Sequence, residues 1–187
     1  MTLKQVGFKR LNDDATIPTR AHPTDSGFDI YASEDVIIEP GETTVVPTGI
    51  AVQLPEGCEG QIRPRSGVTS KTKLRVQLGT IDNGYTGEIG VIVDNIAEDP
   101  MGNVMQYLTY IDGMDYRVEG LPYPNETYLI RKGDRIAQLV VQTLPNIEAI
   151  EVNDVRKSDR GEGGFGSSGY AGGWSGQCTE ITGREFE

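Results

Sequence analysis

Between Val36 and Thr143 the chain is a succession of short apolar, often β-branched runs broken by Gly, Pro and Asp. Val36–Ile38, Thr43–Val46, Ile50–Leu54, Leu74–Gln77, Ile89–Val93, Tyr128–Ile130 and Ile136–Val141 have the length and composition of strands. In the fifth of these, Ile89, Val91 and Val93 alternate with other residues, so one face is apolar. Pro40-Gly41, Pro55-Glu56-Gly57 and Lys132-Gly133-Asp134 punctuate the runs as turns. No window of about 12 residues holds a 3.6-residue apolar period, so little helix is expected. Strands at this spacing make a sandwich, barrel or jelly roll. The fold class is all-β.

Two apolar runs flank Asn83-Gly84, a dipeptide that tolerates the positive φ of a tight two-residue hairpin. Such a hairpin carries a carboxylate, Asp82, and a phenol, Tyr85, beside its tip. Gly79, Gly87 and Gly90 leave bare backbone where another molecule could approach closely. Asp before Asn-Gly is also ordinary turn chemistry. The hairpin alone therefore leaves Asp82 between a catalytic and a structural role.

The 187 residues suffice for one domain with a sizeable core, and 24 glycines and 10 prolines suit many short strands joined by turns. A net charge of -11 argues against a general nucleic-acid surface, because phosphate backbones need a basic footprint. An anionic substrate must then meet a local basic cluster, a metal ion, or both. Cys58 and Cys178 form no metal-spaced pattern, and a single histidine, His22, leaves too few ligands for a zinc site. His22 also lacks an acid or nucleophile partner and reads as structural. Met1 to Arg20 lacks an apolar leader, and no segment approaches membrane-spanning length, so a cytoplasmic protein is expected.

Four further segments carry chemistry. Arg63-Pro64-Arg65-Ser66-Gly67 follows a strand and offers a guanidinium fork and a hydroxyl, both suited to phosphate oxygens; an exposed basic turn would look the same. Gln138 interrupts the apolar run Ile136–Val141 as a polar residue, on a wet face or placed for a ligand. Asp29 stands between Phe28 and Ile30 in a turn leading into a strand. From Ser158 the chain is Gly- and Ser-rich, too sparse in apolar residues to build core, and reads as a mobile arm. Its formal G-x-G-x-x-G, Gly161–Gly166, has neither the preceding strand nor the following helix of a dinucleotide site. An arm that lays backbone amides, Arg160 and the hydroxyls of Ser167 and Ser168 over phosphates, with Phe165 to stack on a base, fits better. Ile96–Thr127 stands apart: it gathers Tyr107, Tyr110, Tyr116, Tyr123, Met101, Met105 and Met114, with six carboxylates against the single base Arg117.

In order along the chain, SGFDI, PRSGV, GTIDNGYTGE, GDRIAQL and RGEGGFGSS resemble the five motifs of trimeric dUTPases, whose usual patterns are close to SAGYDL, PRSGL, GVIDxDYRGE, GDRIAQL and RGxGGFGST. Departures are mild: Phe28 for Tyr, Thr80 for Val, Asn83-Gly84 for a more acidic turn, and Ser168 for Thr. The resemblance implies a jelly-roll-like (β-clip) homotrimer that hydrolyses dUTP to dUMP and pyrophosphate, at sites built between subunits. It implies that Asp82 activates the attacking water and that Tyr85 packs on the deoxyribose. Backbone around Gly79, Thr80 and Ile81 would read uracil, while Arg65, Ser66, Gly67 and Gln138 hold the phosphate chain. Arg160, Gly166, Ser167 and Ser168 would close over the γ-phosphate, with Phe165 over the base. Mg2+ would ride on the triphosphate, with Asp29 at most a water-mediated partner.

The implied organisation is a domain over 1–157, with an insert at 96–127, followed by an arm at 158–187. Phage-encoded dUTPases of Gram-positive hosts resemble this chain in carrying such an insert, and some bind a repressor of a mobile pathogenicity island. A second role as antirepressor, through residues 96–127 and a DNA-binding repressor protein, follows by analogy. Two rivals stay open: a dCTP deaminase of the same fold, and a regulatory protein without catalysis. No direct contact with nucleic acid or membrane is expected.

Overall fold

Every run that the apolar pattern marks as a strand forms one. The computed structural model describes residues 5–99, 101–120 and 122–163. The first strands are β1 (Gly7–Arg10), β2 (Gly27–Tyr31), β3 (Val36–Ile38), β4 (Thr43–Pro47), β5 (Ile50–Gln53) and β6 (Cys58–Pro64). The one helix among the described residues, α1 (Ser66–Lys71), precedes β7 (Leu74–Val76), β8 (Gly79–Ile81) and β9 (Gly90–Asn95). The insert contributes β10 (Val104–Met105), β11 (Tyr107–Tyr110), β12 (Asp115–Arg117) and β13 (Tyr123–Pro124). The chain then returns through β14 (Tyr128–Ile130) and β15 (Arg135–Thr143). Among the described residues no helix is long and apolar enough to cross a membrane.

Strand β15 organises the sheet that matters most. It lies between β2 and β6, antiparallel to both, and β8 closes the far edge in the order β2-β15-β6-β8. Ile136, Ala137 and Leu139 of β15 are buried with Ile30 of β2 and Ile62 of β6. They share one core with Val46, Val91 and Val93 from a second sheet, β4-β9-β7. The alternation expected for Ile89, Val91 and Val93 holds: all three are buried, while Ile92 between them is exposed. Gly133, at φ 84°, makes the turn that delivers the chain into β15.

The expected two-residue hairpin at Asn83-Gly84 does not form. Strand β8 pairs with β6, whereas β9 pairs with β4 and β7, so the two runs belong to different sheets. Neither Asn83 nor Gly84 takes a positive φ, and the Tyr85 N–H donates to the Asp82 carbonyl at 3.0 Å as in an ordinary turn. The local signal was right about a turn, but the neighbours of each strand decide what that turn joins.

The insert folds back onto its own subunit. Strand β11 pairs in parallel with β14 and antiparallel with β12, so the sheet runs β12-β11-β14-β3. Leu108 of β11 is buried, and Tyr110 stacks on Tyr116 with ring centroids 3.9 Å apart. Tyr128 ties the root: its hydroxyl accepts from the Lys73 N–H at 3.0 Å and donates to Glu126 at 3.1 Å. Burial pushes this phenol above its ordinary pKa and keeps it neutral.

The chain divides into two compact units, Met1–Asn146 and Ile147–Glu187. In the second unit the Gly161 N–H donates to the Ser158 carbonyl and the Gly163 N–H to the Arg160 carbonyl, both at 3.0 Å.

Asn95 clamps both roots of the insert. Its side chain is 1% exposed and donates to the carbonyls of Ile38 at 3.1 Å and Glu126 at 2.9 Å, while it accepts from the Ala97 N–H at 3.1 Å. Replacing it by Ala removes three hydrogen bonds, each worth about 0.5–1.5 kcal/mol net. Asn95→Ala should lower unfolding free energy by about 2–4 kcal/mol in urea at fixed protein concentration. A change under about 0.5 kcal/mol would show that the clamp is dispensable.

Candidate active site

Two groups of candidate residues lie at separate places on one chain. The first surrounds the junction of β2, β6 and β15. Antiparallel register sets Gln138 of β15 opposite Asp29 of β2. Gln138 donates to the Pro64 carbonyl at 3.0 Å, which fixes its amide beside the end of β6. Gly27 is required there: a Cβ on it would come within 2.8 Å of Gln138 Oε1. Arg65 follows directly as the residue before α1, and its side chain makes no cap to that helix. Its Nε instead meets Asp29 Oδ1 at 3.0 Å, and its Nη1 donates to the Arg135 carbonyl at 2.9 Å.

Asp29 thus holds two guanidiniums, because Arg135 Nη1 reaches its other oxygen at 3.2 Å. Arg65, Ser66, Gly67, Asp29, Gln138 and Arg135 share one cleft of about 420 Å³. Ser66 and Gly67 are exposed, and nothing lies within 4 Å of where a Gly67 Cβ would be, so their backbone faces open space. Free N–H groups of two forks, a hydroxyl and an amide converge on this cleft, and such donors suit a polyanion with several oxygens. Asp25 stands at the rim, where it accepts the His22 N–H at 2.8 Å.

The second group is the turn after β8. Asp82 and Tyr85 are exposed, and the turn between them is held from beneath. Asn83 Nδ2 donates to the carbonyls of Pro55 at 2.8 Å, Cys58 at 3.3 Å and Leu54 at 3.4 Å. Tyr85 donates its hydroxyl to the Glu88 carbonyl at 2.8 Å. Glu88 in turn accepts the amides of Thr48 at 3.0 Å and Gly49 at 2.7 Å. Asp82 is therefore presented to solvent by a rigid support.

The glycines expected to admit another molecule have nearer explanations. A Cβ on Gly87 would lie 2.6 Å from Tyr85 Oη, and one on Gly90 would lie 2.6 Å from Val45 Cγ1. Tyr85 also walls a cleft of about 440 Å³ with Phe8 and Lys9 of β1 and Val52 of β5. Because β8 is an edge strand, the side of Gly79, Thr80 and Ile81 away from β6 has no strand partner among the described residues. Backbone groups at a sheet edge are a ready template for hydrogen bonding.

The two groups are far apart. Ile81 pairs with Gly60, so Asp82 continues toward Glu59, while Arg65 lies at the opposite end of β6. At about 3.3 Å per residue, the six steps from Glu59 to Arg65 span about 20 Å. The two groups therefore sit at opposite ends of β6.

Arg135 was missed by sequence reasoning. In a regular strand it would face away from Gln138, three positions on, but the register with β2 shifts between Arg135 and Ala137. Arg160 is exposed in the second unit, and its Nε donates to the Gly163 carbonyl at 2.8 Å. Phe165, Gly166, Ser167 and Ser168 lie outside the described residues. Among the described residues no three of His, Cys, Asp and Glu converge as a metal set, and both Asp29 oxygens are engaged by arginines.

Comparison with known proteins adds a family to this geometry. The dUTPase family model matches residues 13–102 and 122–169, which leaves 103–121, within the insert, unmatched. Deoxyuridine 5'-triphosphate nucleotidohydrolase of Clostridioides difficile is 40% identical over 164 residues, 87% of this chain and 96% of that protein. The structure of Staphylococcus bacteriophage 80alpha dUTPase with dUPNHPP is 41% identical with a TM-score of 0.84, covering 88% of this chain and 98% of that one. It was described under phage dUTPases that control transfer of virulence genes by a proto-oncogenic G protein-like mechanism. The dUTPase from phage phi11 of S. aureus, noted for a species-specific insert, is 35% identical with a TM-score of 0.78, covering 82% and 99%.

If Asn83 is what holds the turn, Asn83→Ala should cost about 1–2 kcal/mol in urea unfolding, from lost hydrogen bonds at a part-exposed site. Amide exchange at Tyr85 should rise in the same variant, because the turn loses its floor. Exchange as slow as in the parent chain would place the support elsewhere.

Proposed function

The chain belongs to the dUTPase family and is a dUTP diphosphatase, and we propose that its two separated residue groups act together across subunits of a homotrimer. Asp82 of one chain orients and deprotonates the water that attacks the α-phosphorus, and pyrophosphate leaves with the electron pair of the broken P–O bond. An exposed carboxylate on a braced turn is the observation that carries this reading: it is free to hold water, yet positioned. The free edge of β8 at Gly79–Ile81 supports reading of the uracil edge by backbone groups. Tyr85 packs on the deoxyribose, held by its contact with Glu88 and by Gly87.

In the second group, Arg65, Ser66 and Gln138 bind the phosphate chain, with Gly67 leaving its backbone clear. The arm residues Arg160, Phe165, Gly166, Ser167 and Ser168 close over base and γ-phosphate, excluding water from the leaving group. The distance of about 20 Å between Asp82 and Arg65, from strand geometry, supports a site completed by another copy of the chain. Mg2+ belongs to the substrate, where it neutralises charge on the triphosphate. The residues here do not fit a direct metal set, since both oxygens of Asp29 are taken by Arg65 and Arg135. The deaminase rival needs a glutamate at the base, and this turn offers Asp82 beside Tyr85 instead. A cytoplasmic enzyme, in the host cell if phage-encoded, fits this chemistry.

A second role rests on the insert. Its inner edge is used up by β14, yet Tyr107, Tyr116, Met101, Met105 and Met114 stay exposed among carboxylates. Tyr and Met are enriched at protein interfaces, and the acidity suits a partner with a basic face, as in a DNA-binding repressor.

Asp82→Asn should cut dUTP turnover by at least about 100-fold, the lower range for losing a general base, while dUTP still binds. Near-normal turnover would sink the assignment. For the insert, Tyr107→Ser combined with Met114→Ser should leave turnover intact and weaken binding to a basic-faced repressor of the host island. Unchanged repressor binding would remove the insert from that role.

A further inference from the structure

We propose that Asn83 is a self-modification site: when its turn opens, the Gly84 nitrogen attacks the Asn83 side chain, and the product disables the turn that presents Asp82. The effect on turnover rests on the role proposed for Asp82. The modification itself does not.

The first support is reactivity. Of seven asparagines in the chain, Asn83 alone precedes glycine, whereas the other six precede Asp, Glu, Val or Ile. The backbone nitrogen of the following residue is the nucleophile in asparagine deamidation, and glycine leaves it without a side chain in the way. In the fold both Asn83 and Gly84 are exposed, and nothing lies within 4 Å of where a Gly84 Cβ would be. The Gly84 N–H makes no hydrogen bond among the described residues, so no acceptor has to be given up before attack. The Gly84 nitrogen bonds to Asn83 Cγ, the bond from Cγ to Nδ2 breaks, and ammonia leaves with the Gly84 amide proton. Water then opens the resulting cyclic imide at either carbonyl. One opening leaves aspartate in place of the asparagine, and the other leaves an isoaspartyl link with the main chain running through the former side chain.

The second support is what the lost amide was holding. Asn83 Nδ2 donates to the carbonyls of Pro55 at 2.8 Å, Cys58 at 3.3 Å and Leu54 at 3.4 Å. While these bonds hold, Cγ is fixed through its own nitrogen, and attack waits on a local opening. No strand covers the chain between Ile81 and Gly90, and segments without ladder bonds open at the lowest cost in a fold. Once the reaction has occurred, the turn cannot close as before. A carboxylate has no proton to donate at neutral pH, and it would set a negative charge against three carbonyl oxygens. The isoaspartyl product inserts a main-chain atom between Asp82 and Tyr85, where the Tyr85 N–H donates to the Asp82 carbonyl at 3.0 Å. A transient opening thus becomes a permanent one.

Order of reaction separates this inference from its rival. If the brace only protected the amide, Asn83 would outlast the exposed asparagines at 12, 103, 146 and 153. If the turn opens as proposed, Asn83 reacts before them.

The test is timed incubation of the purified protein in warm, mildly alkaline buffer. Peptide mass mapping, isoaspartyl-specific enzymatic methylation and dUTP turnover are then read on the same aliquots. Asn83 should lose its amide first, and turnover should fall in proportion to the modified fraction. Gly84→Ala should keep its amide several-fold longer, because a methyl group then shields the nitrogen. Ala fits there, since the Gly84 φ is not positive and its Cβ would meet nothing. The parent chain unfolded in urea should react faster than the folded chain. An Asn83 amide that survives while those of Asn12, Asn103, Asn146 and Asn153 are lost overturns the site. Fully modified protein with undiminished turnover overturns the disabling effect. Equal rates in the parent chain and Gly84→Ala overturn the attack by Gly84, and equal rates with and without urea overturn the need for opening. Mass mapping reads the modification whether or not Asp82 is the general base, so a failed mechanism shows separately, as undiminished turnover in Asp82→Asn.

Discussion

The register of β15 between β2 and β6 is the constraint on which the cleft around Asp29 depends. Ile136, Ala137 and Leu139 are buried at 1% exposure or less. Each fully buried large apolar side chain contributes about 1.5–3 kcal/mol. A one-residue slip would move this set off the core, at a cost exceeding any single polar contact in the cleft. Apolar burial therefore fixes the register, and the polar residues inherit their places from it. Gln138 falls opposite Asp29, and Pro64 ends β6 where Arg65 can turn back toward both. The cleft did not have to be specified by its own weak contacts.

The second group is fixed by a different means, and the contrast explains the distribution of function. Asp82 stands where the chain leaves one sheet for another, and no ladder hydrogen bond holds it. Side chains do that work instead: Asn83 to three carbonyls, and Glu88 to two amides of the Thr48–Gly49 corner. Thr48 is itself buried and donates to the Ile89 carbonyl at 2.6 Å. A turn built this way can present a carboxylate outward without burying it. The sheet geometry that makes both groups precise also sets them at opposite ends of β6.

Strand content was legible because period-two alternation and burial are the same physical fact. The motifs were legible as residue types: Asp82 at a turn, Arg65-Ser66 after a strand, Gln138 within one. What escaped is whatever depends on a non-local partner. Asn83-Gly84 looked like a hairpin because the signal is local, yet β8 and β9 each found better partners elsewhere. Arg135 escaped because a bulge at Ile136–Ala137 is invisible to a counting argument that assumes an unbroken pleat. Strand β1 and the four strands of the insert escaped for a related reason: their pairs are short, and they carry much of their side-chain surface in solvent.

The insert shows what packing does and does not demand of a sequence. Its attachment needs few residues: Asn95 at the roots, Leu108 in the core, and Tyr110 between Tyr116 and the Arg131 guanidinium, 4.3 Å from the ring centroid. Gly113 is needed where the hairpin tip meets α1, since a Cβ there would lie 2.9 Å from the Lys71 carbonyl. None of these contacts requires Tyr107 at 48%, Met114 at 59% or Met101 at 83% exposure. Exposed residues tolerate almost any polar replacement at little cost to stability. Folding alone would leave such positions to drift toward ordinary polar surface. The insert thus carries large apolar side chains among carboxylates on a segment already secured by other residues.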